Sequence, residues 1–263
     1  MQNRSDCMQT VDVFLFAGQS NMAGRGIVCP RFPETAPALL PGSGWEYRAV
    51  TAPCQLCPLE EPFGKNENRP EGISEQLKTG SMVSSFVRAY FALTNTPVVG
   101  VSASKGGSIM QEWQPEGAYL TDALNRLTAA GQYLTSSGYE ICHTYVLWCQ
   151  GESDADAGTS KQAYLKGFDA MLNAMLQSGI EKMFLVRIGQ CNLPGSYDRY
   201  DAMRQWQEEI AASHKHVELV SRCFSTMRER GLMKDAFHYY QAGYNEAGQE
   251  AGENTARWVI ENG

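Results

Sequence analysis

Residues 11–26 read V-D-V-F-L-F-A-G-Q-S-N-M-A-G-R-G. Val11, Val13, Phe14, Leu15 and Phe16 form a β-branched and aromatic run too short for a helix, which predicts a buried strand ending at Gly18. The glycines that follow frame a turn carrying one serine, Ser20. In an open α/β sheet, ligands bind in the crevice beyond the carboxyl ends of the strands, so a hydroxyl at this place is positioned to act as a nucleophile. Serine beside glycine also serves simply to shape turns, and the rest of the chain must show which applies.

Further strands are predicted at about 97–102, 143–149, 182–188 and 216–220. Helical patterns lie between and after them, at about 82–94, 118–136, 160–178, 197–213 and 240–261. Five strands alternating with helices predict an α/β fold, a five-stranded parallel sheet covered on both faces in a three-layer α/β/α sandwich. Residues 27–80 break the alternation. They are rich in Pro, Gly and Cys, include Trp45 and Tyr47, and read as a long insertion beside the crevice within a single domain spanning 1–263.

A serine hydroxyl needs a base, and the chain has four histidines. His143 opens an apolar run, and His214 and His216 lie in the polar stretch S-H-K-H. His238 stands three residues after Asp235 in K-D-A-F-H. An aspartate at that spacing can reach the Nδ1 proton of the imidazole and turn Nε2 toward a serine, although the same pattern suits a helix cap with a neighbouring histidine. Acyl transfer also needs donors aimed at an oxyanion. Gly106-Gly107, after the strand near 97–102, can present a bare backbone N–H, and Gln150, after the strand near 143–149, carries a side-chain amide. An ordinary loop and a polar cap on the sheet are the plain alternatives for these two.

Taken together, G-Q-S-N-M-A-G-R-G at 18–26, K-G-G-S-I with Glu112-Trp113 following, W-C-Q-G-E-S-D at 148–154 and D-A-F-H at 235–238 resemble the SGNH-type hydrolases of the sialate O-acetylesterase and acetylxylan esterase group. The blocks occur in order across nearly the whole chain. The resemblance implies a flavodoxin-like SGNH fold, with Ser20 as nucleophile, His238 as general base and then acid, and Asp235 as the orienting carboxylate. It further implies an oxyanion hole built from the backbone N–H groups of Ser20 and Gly107 and the Gln150 side chain, with the register between Gly106 and Gly107 open. The substrate implied is a small acetylated carbohydrate, and no cofactor is required.

Other chemistries are unsupported. Met22 occupies the place of the second glycine in G-x-S-x-G, and neither a phosphate-cradling G-x-x-x-x-G-K-[ST] nor H-E-x-x-H occurs. A net charge of -7 offers no basic stripe for nucleic acid, and no run of about 18 apolar residues is present to span a membrane. Eight cysteines, several flanking core strands, suit free thiols in a reducing compartment. Cys54 and Cys57 make a single C-x-x-C without a second pair or nearby histidine, so no metal site is expected. The chain start lacks the apolar core of a secretory signal, which suggests a cytoplasmic protein. Around the crevice, Arg25, Gly106, Glu112 and Trp113 are candidate substrate contacts, with Trp45 and Arg187 behind them, while Glu152 and Asp154 read as braces of the Gln150 loop. The rivals to a carbohydrate acetylesterase are a lipase, thioesterase or arylesterase of the wider superfamily, and a carbohydrate-binding protein on the same scaffold.

Overall fold

The computed structural model describes residues 9–263. A seven-stranded sheet forms the middle layer, in the order β3-β2-β4-β1-β5-β6-β7. The strands are β1 (Gln9–Gly18), β2 (Gly44–Tyr47), β3 (Leu56–Pro58), β4 (Val98–Ser104), β5 (Tyr139–Cys149), β6 (Lys182–Val186) and β7 (Val217–Ser221). All neighbours run parallel except β2 and β3, which form an antiparallel pair. The five strands expected from the sequence are β1, β4, β5, β6 and β7. Counted among themselves they lie in the order 2-1-3-4-5, the doubly wound flavodoxin-like arrangement, with the switch point beside β1.

The expected strand number is corrected from five to seven because two short strands from the 27–80 segment join the edge. β2 docks parallel to β4 through Gly44–Tyr47 against Val98–Val101. Strands of four and three residues, one opening with Gly44 and the other ending at Pro58, carry too little periodicity to be seen in sequence; the open edge of β4 selects β2, which in turn pairs with β3. The segment is also held by buried polar anchors. Lys78 Nζ donates to Ser102 Oγ at 2.7 Å and to the carbonyl of Phe63, and burial lowers its pKa to about 8. Glu61 accepts from the Ser81 N–H and hydroxyl, and Asp122 accepts from the Ile73 N–H.

Both faces of the sheet are buried, so the strands are apolar almost throughout. Val11, Val13, Leu15 and Ala17 point to one side, with Val99, Val101, Val146 and Trp148. There they meet α3 (Ala118–Ser136), α5 (Lys161–Gln177) and α6 (Asp201–Ser213). Phe14 and Phe16 point to the other side, against α2 (Val83–Thr94) and α7 (Gln241–Asn262). α7 carries a stripe of small residues that brings its backbone close to α2. A Cβ on Gly248 would lie 2.2 Å from the Met82 carbonyl oxygen, and one on Gly252 would lie 2.4 Å from that of Phe86.

Two short helices complete the frame of the crevice, α1 (Ser20–Ala23) after β1 and α4 (Glu152–Asp156) after β5. The three central strands finish level, Gly18 opposite Ser104 on one side and Cys149 on the other. The loops bearing Ser20, Gly106-Gly107 and Gln150 therefore emerge in one crevice. No described helix is long and apolar enough to cross a membrane.

Candidate active site

The turn after β1 is forced by close packing. Gly18 has φ of 137°, and a Cβ there would sit 2.1 Å from the Cys149 carbonyl oxygen, so no other residue fits. Gln19 N–H donates to that carbonyl at 2.9 Å, while Gln19 Oε1 accepts from the N–H groups of Gly151 and Ser153. The chain then turns into α1, whose first residue is Ser20. As the first residue of a helix, Ser20 has no intrahelical acceptor for its N–H.

The histidine arrives from the loop before α7. His238 Nε2 lies 3.0 Å from Ser20 Oγ, across 218 residues of sequence, and Nδ1 lies 3.0 Å and 3.1 Å from the two carboxylate oxygens of Asp235. Asp235 Oδ1 also accepts from the N–H groups of Phe237 and His238, each at 2.8 Å. This tight local turn presets the carboxylate for the imidazole. Burial pushes the Asp235 pKa up, but the Phe237 N–H, the His238 ring and the His238 N–H outweigh it, so the carboxyl titrates below its ordinary value. Burial also lowers the His238 pKa, against the pull of Asp235, and Arg25 and Lys234 add to the lowering. An imidazole so held is neutral near pH 7, and a neutral Nε2 beside Oγ can take its proton.

These groups open on a cleft of about 350 Å³ lined by Gln19, Ser20, Arg25, Glu75, Leu77, Lys105, Gly106, Gly107, Glu152, Ser153, Asp156, Phe237 and His238. A larger groove of about 1060 Å³, bounded by residues 26–28, 35–39 and 56–61, holds neither Ser20 nor His238. The two glycines of the doublet have different tasks. The Gly106 N–H donates to Glu75 Oε2 at 2.6 Å, whereas the N–H of Gly107, a cleft-lining residue with φ of 76°, meets no acceptor among the described residues. Glu75 also accepts from the Leu77 N–H and pairs with Arg25 at 2.9 Å, so burial, which would raise its pKa, is overridden and the carboxyl stays ionised more readily than usual.

Several expected contacts lie elsewhere. Gln150 is fully buried, and both hydrogens of its amide are already engaged, with the Ser108 carbonyl at 3.1 Å and Asp154 Oδ2 at 2.5 Å. The expectation that this amide serves an oxyanion is corrected: Asp154, one helical turn on, captures it. Trp113 is likewise wholly buried, donating to Ser108 Oγ and packing edge-on to Trp148 in the core. Glu112 accepts from the Ile109 N–H outside the cleft, Trp45 packs beside Tyr139, and Arg187 pairs with Glu208. Arg25 and Gly106 do line the cleft. Glu152 borders the cleft too, although it is almost wholly buried and its Oε1 accepts from Asn21 Nδ2.

Sequence reasoning missed Glu75, Leu77 and Asn21. The first two come from the 27–80 segment, where no periodic pattern marks them. Asn21 adjoins Ser20 within the quoted motif, and its burial was the missing sign. Among the described residues, no group of three or more His, Cys, Asp or Glu side chains converges as metal ligands.

A three-layer α/β/α frame with a hydrogen-bonded Asp235–His238–Ser20 line in its crevice is the arrangement that acyl transfer by a serine requires. The chain belongs to the carbohydrate esterase family of sialic acid-specific acetylesterases, whose family model matches residues 10–257. Three solved structures are similar in fold. A protein from Arabidopsis thaliana superposes with a TM-score of 0.68 at 21% identity, covering 95% of this chain and 98% of that one. NanS gives 0.60 at 15% identity, covering 96% and 98% of the two chains. A carbohydrate acetylesterase from Xanthomonas citri gives 0.59 at 17% identity, covering 96% of this chain and 57% of that one. No curated protein matches the sequence.

Proposed function

We propose that this single-domain protein is a serine esterase that removes O-acetyl groups from a small carbohydrate through an acyl-enzyme intermediate. The observation that carries the reading is the unbroken hydrogen-bonded line from Asp235 through His238 to Ser20 at the floor of the cleft. Ser20 Oγ attacks the acetyl carbonyl as His238 Nε2 takes its proton, and Asp235 supports the imidazolium that forms. The tetrahedral oxyanion is held by the N–H groups of Ser20 and Gly107, each such donor contributing about 3 kcal/mol of transition-state stabilisation. The imidazolium then protonates the sugar oxygen as the C–O bond breaks. Water, deprotonated by the same nitrogen, attacks the acetyl-serine and releases acetate.

The lining supports a polar leaving group. Arg25, Lys105 and the Glu75 and Asp156 carboxylates offer partners to sugar hydroxyls, and a charged wall of this kind disfavours a long acyl chain. The test is hydrolysis of p-nitrophenyl acetate, butyrate and octanoate by the wild type and Ser20→Ala, followed by O-acetylated sialic acid and acetylated xylo-oligosaccharides. Acetate-selective turnover that disappears in Ser20→Ala is expected. Octanoate preference would favour a lipase or thioesterase, and turnover surviving the substitution would remove Ser20 as nucleophile.

A further inference from the structure

Asn21 follows Ser20 directly, is completely buried, and has both hydrogens of its amide engaged. Its Nδ2 donates to Glu152 Oε1 at 2.6 Å and to the Phe237 carbonyl at 3.1 Å, and its Oδ1 accepts from the Tyr244 hydroxyl at 2.7 Å. One carboxamide therefore joins the nucleophile turn to α4, to α7 and to the residue before His238. Glu152 is 4% exposed, and its Oε2 is closed to solvent without a partner, so that oxygen is out of reach of substrate. The ionisable groups facing it are Asp156 on its own helix, Cys149 at the end of β5, and the phenols of Tyr164, Tyr200 and Tyr239, with His238 across the cleft. None of the first five is a cation. A buried carboxyl with one side-chain donor is costly, and it would be kept only if something depended on it.

On the reading of the site given above, we propose that Glu152 is a positioning residue that orients the Asn21 carboxamide and through it holds Ser20 in register with His238. A carboxylate has no hydrogens, so it compels Nδ2 toward α4 and leaves Oδ1 for Tyr244. That orientation is also the one that lets Asn21 donate to the Phe237 carbonyl and so tether the His238 loop. The bond is strongest while Glu152 is ionised. Burial raises its pKa to about 7, against the lowering by the Asn21 bond, so mild acidification neutralises it. Cys149 and the three tyrosines are pushed upward by burial and stay neutral there, and Asp156 is held by Arg199 at 2.8 Å and by the Tyr200 hydroxyl.

The experiment compares kcat and KM for p-nitrophenyl acetate from about pH 5 to 9 in the wild type, Glu152→Gln, Asn21→Ala, the double variant and Ser20→Ala, with thermal melts. Glutamine mimics the protonated carboxyl. Glu152→Gln should lower kcat about tenfold at pH 8, consistent with a small misplacement of reacting groups, leave KM within about twofold, and reduce a two-proton acid limb to one. Because it removes a buried charge, it should melt no lower than the wild type at that pH, which separates positioning from mere structural support. In the Asn21→Ala background the glutamine should have no further effect, since its route to Ser20 is gone. Wild-type kcat with an unchanged acid limb in Glu152→Gln, or losses that multiply in the double variant, would overturn the proposal. Should Asn21→Ala fail to fold, the Glu152→Gln arm decides. A silent Glu152→Gln beside an inactive Ser20→Ala sinks this inference alone, whereas an active Ser20→Ala sinks the serine esterase reading with it.

Discussion

Ser20 depends on the state of one imidazole, and that state is set by opposed influences. Burial, Arg25 and Lys234 favour neutral His238, while Asp235 favours the imidazolium. The net pKa lies below the ordinary histidine value, so the reactive neutral form persists at neutral pH and is lost on acidification. Activity should accordingly be lost on acidification and level off toward neutral pH, and a kcat/KM with no acid limb would contradict His238 as base. Asp235→Asn should lower kcat by about 10³–10⁴-fold with little change in melting temperature, because an amide hydrogen in place of a carboxylate oxygen favours the wrong imidazole tautomer. Steady-state kinetics on an acetyl ester checks this, and a loss under tenfold would demote Asp235 to a loop brace.

The elements matter through how their ends are tied. The loop after β4 gives its two glycines different burdens, and alanine should distinguish them. A Cβ at Gly106 would meet Arg25 at 2.4 Å and Glu75 at 2.5 Å, forcing the ion pair out of the cleft wall. A Cβ at Gly107 meets nothing within 4 Å, and only its φ of 76° resists the change. Gly107→Ala should therefore cost about 1 kcal/mol, roughly 2–4 °C in Tm, while keeping most activity because the N–H remains. Gly106→Ala should lose substantially more activity. Kinetics and melts on the pair test the assignment, and equal behaviour would contradict it.

In the whole molecule the crevice rests on a frame that spans the chain. α7 supplies Tyr244 to Asn21 and packs its glycine stripe on α2, so damage far from Ser20 should be felt there. Gly252→Val would thrust a side chain at the Phe86 carbonyl and should lower stability by about 3 kcal/mol or more, roughly 6–12 °C in Tm, as read by calorimetry. A melt within 2 °C of the wild type would show that the helices separate cheaply.

The five core strands and the five long helices were legible in the chain, because strand runs and helical periods are local patterns written in consecutive residues, whereas the flavodoxin-like arrangement and the grouping of Ser20 with Asp235 and with His238, 218 residues away in sequence, were implied only by the resemblance of the four ordered blocks. The hairpin of β2 and β3 was not legible, since β2 is set by its pairing with β4 and β3 by its pairing with β2. Nor was the fate of Gln150 and Trp113, which a motif places near the cleft but which Asp154 and Ser108 draw into the core. Glu75 and Leu77 reach the cleft only because the insertion folds back over β4. By itself the sequence determined which chemistry the chain carries and the layers that hold it. Tertiary structure alone decided which amide hydrogens stay free and which side chains face the cleft, because each donor is claimed by whichever acceptor packing brings nearest, and 131 residues separate Asn21 from Glu152.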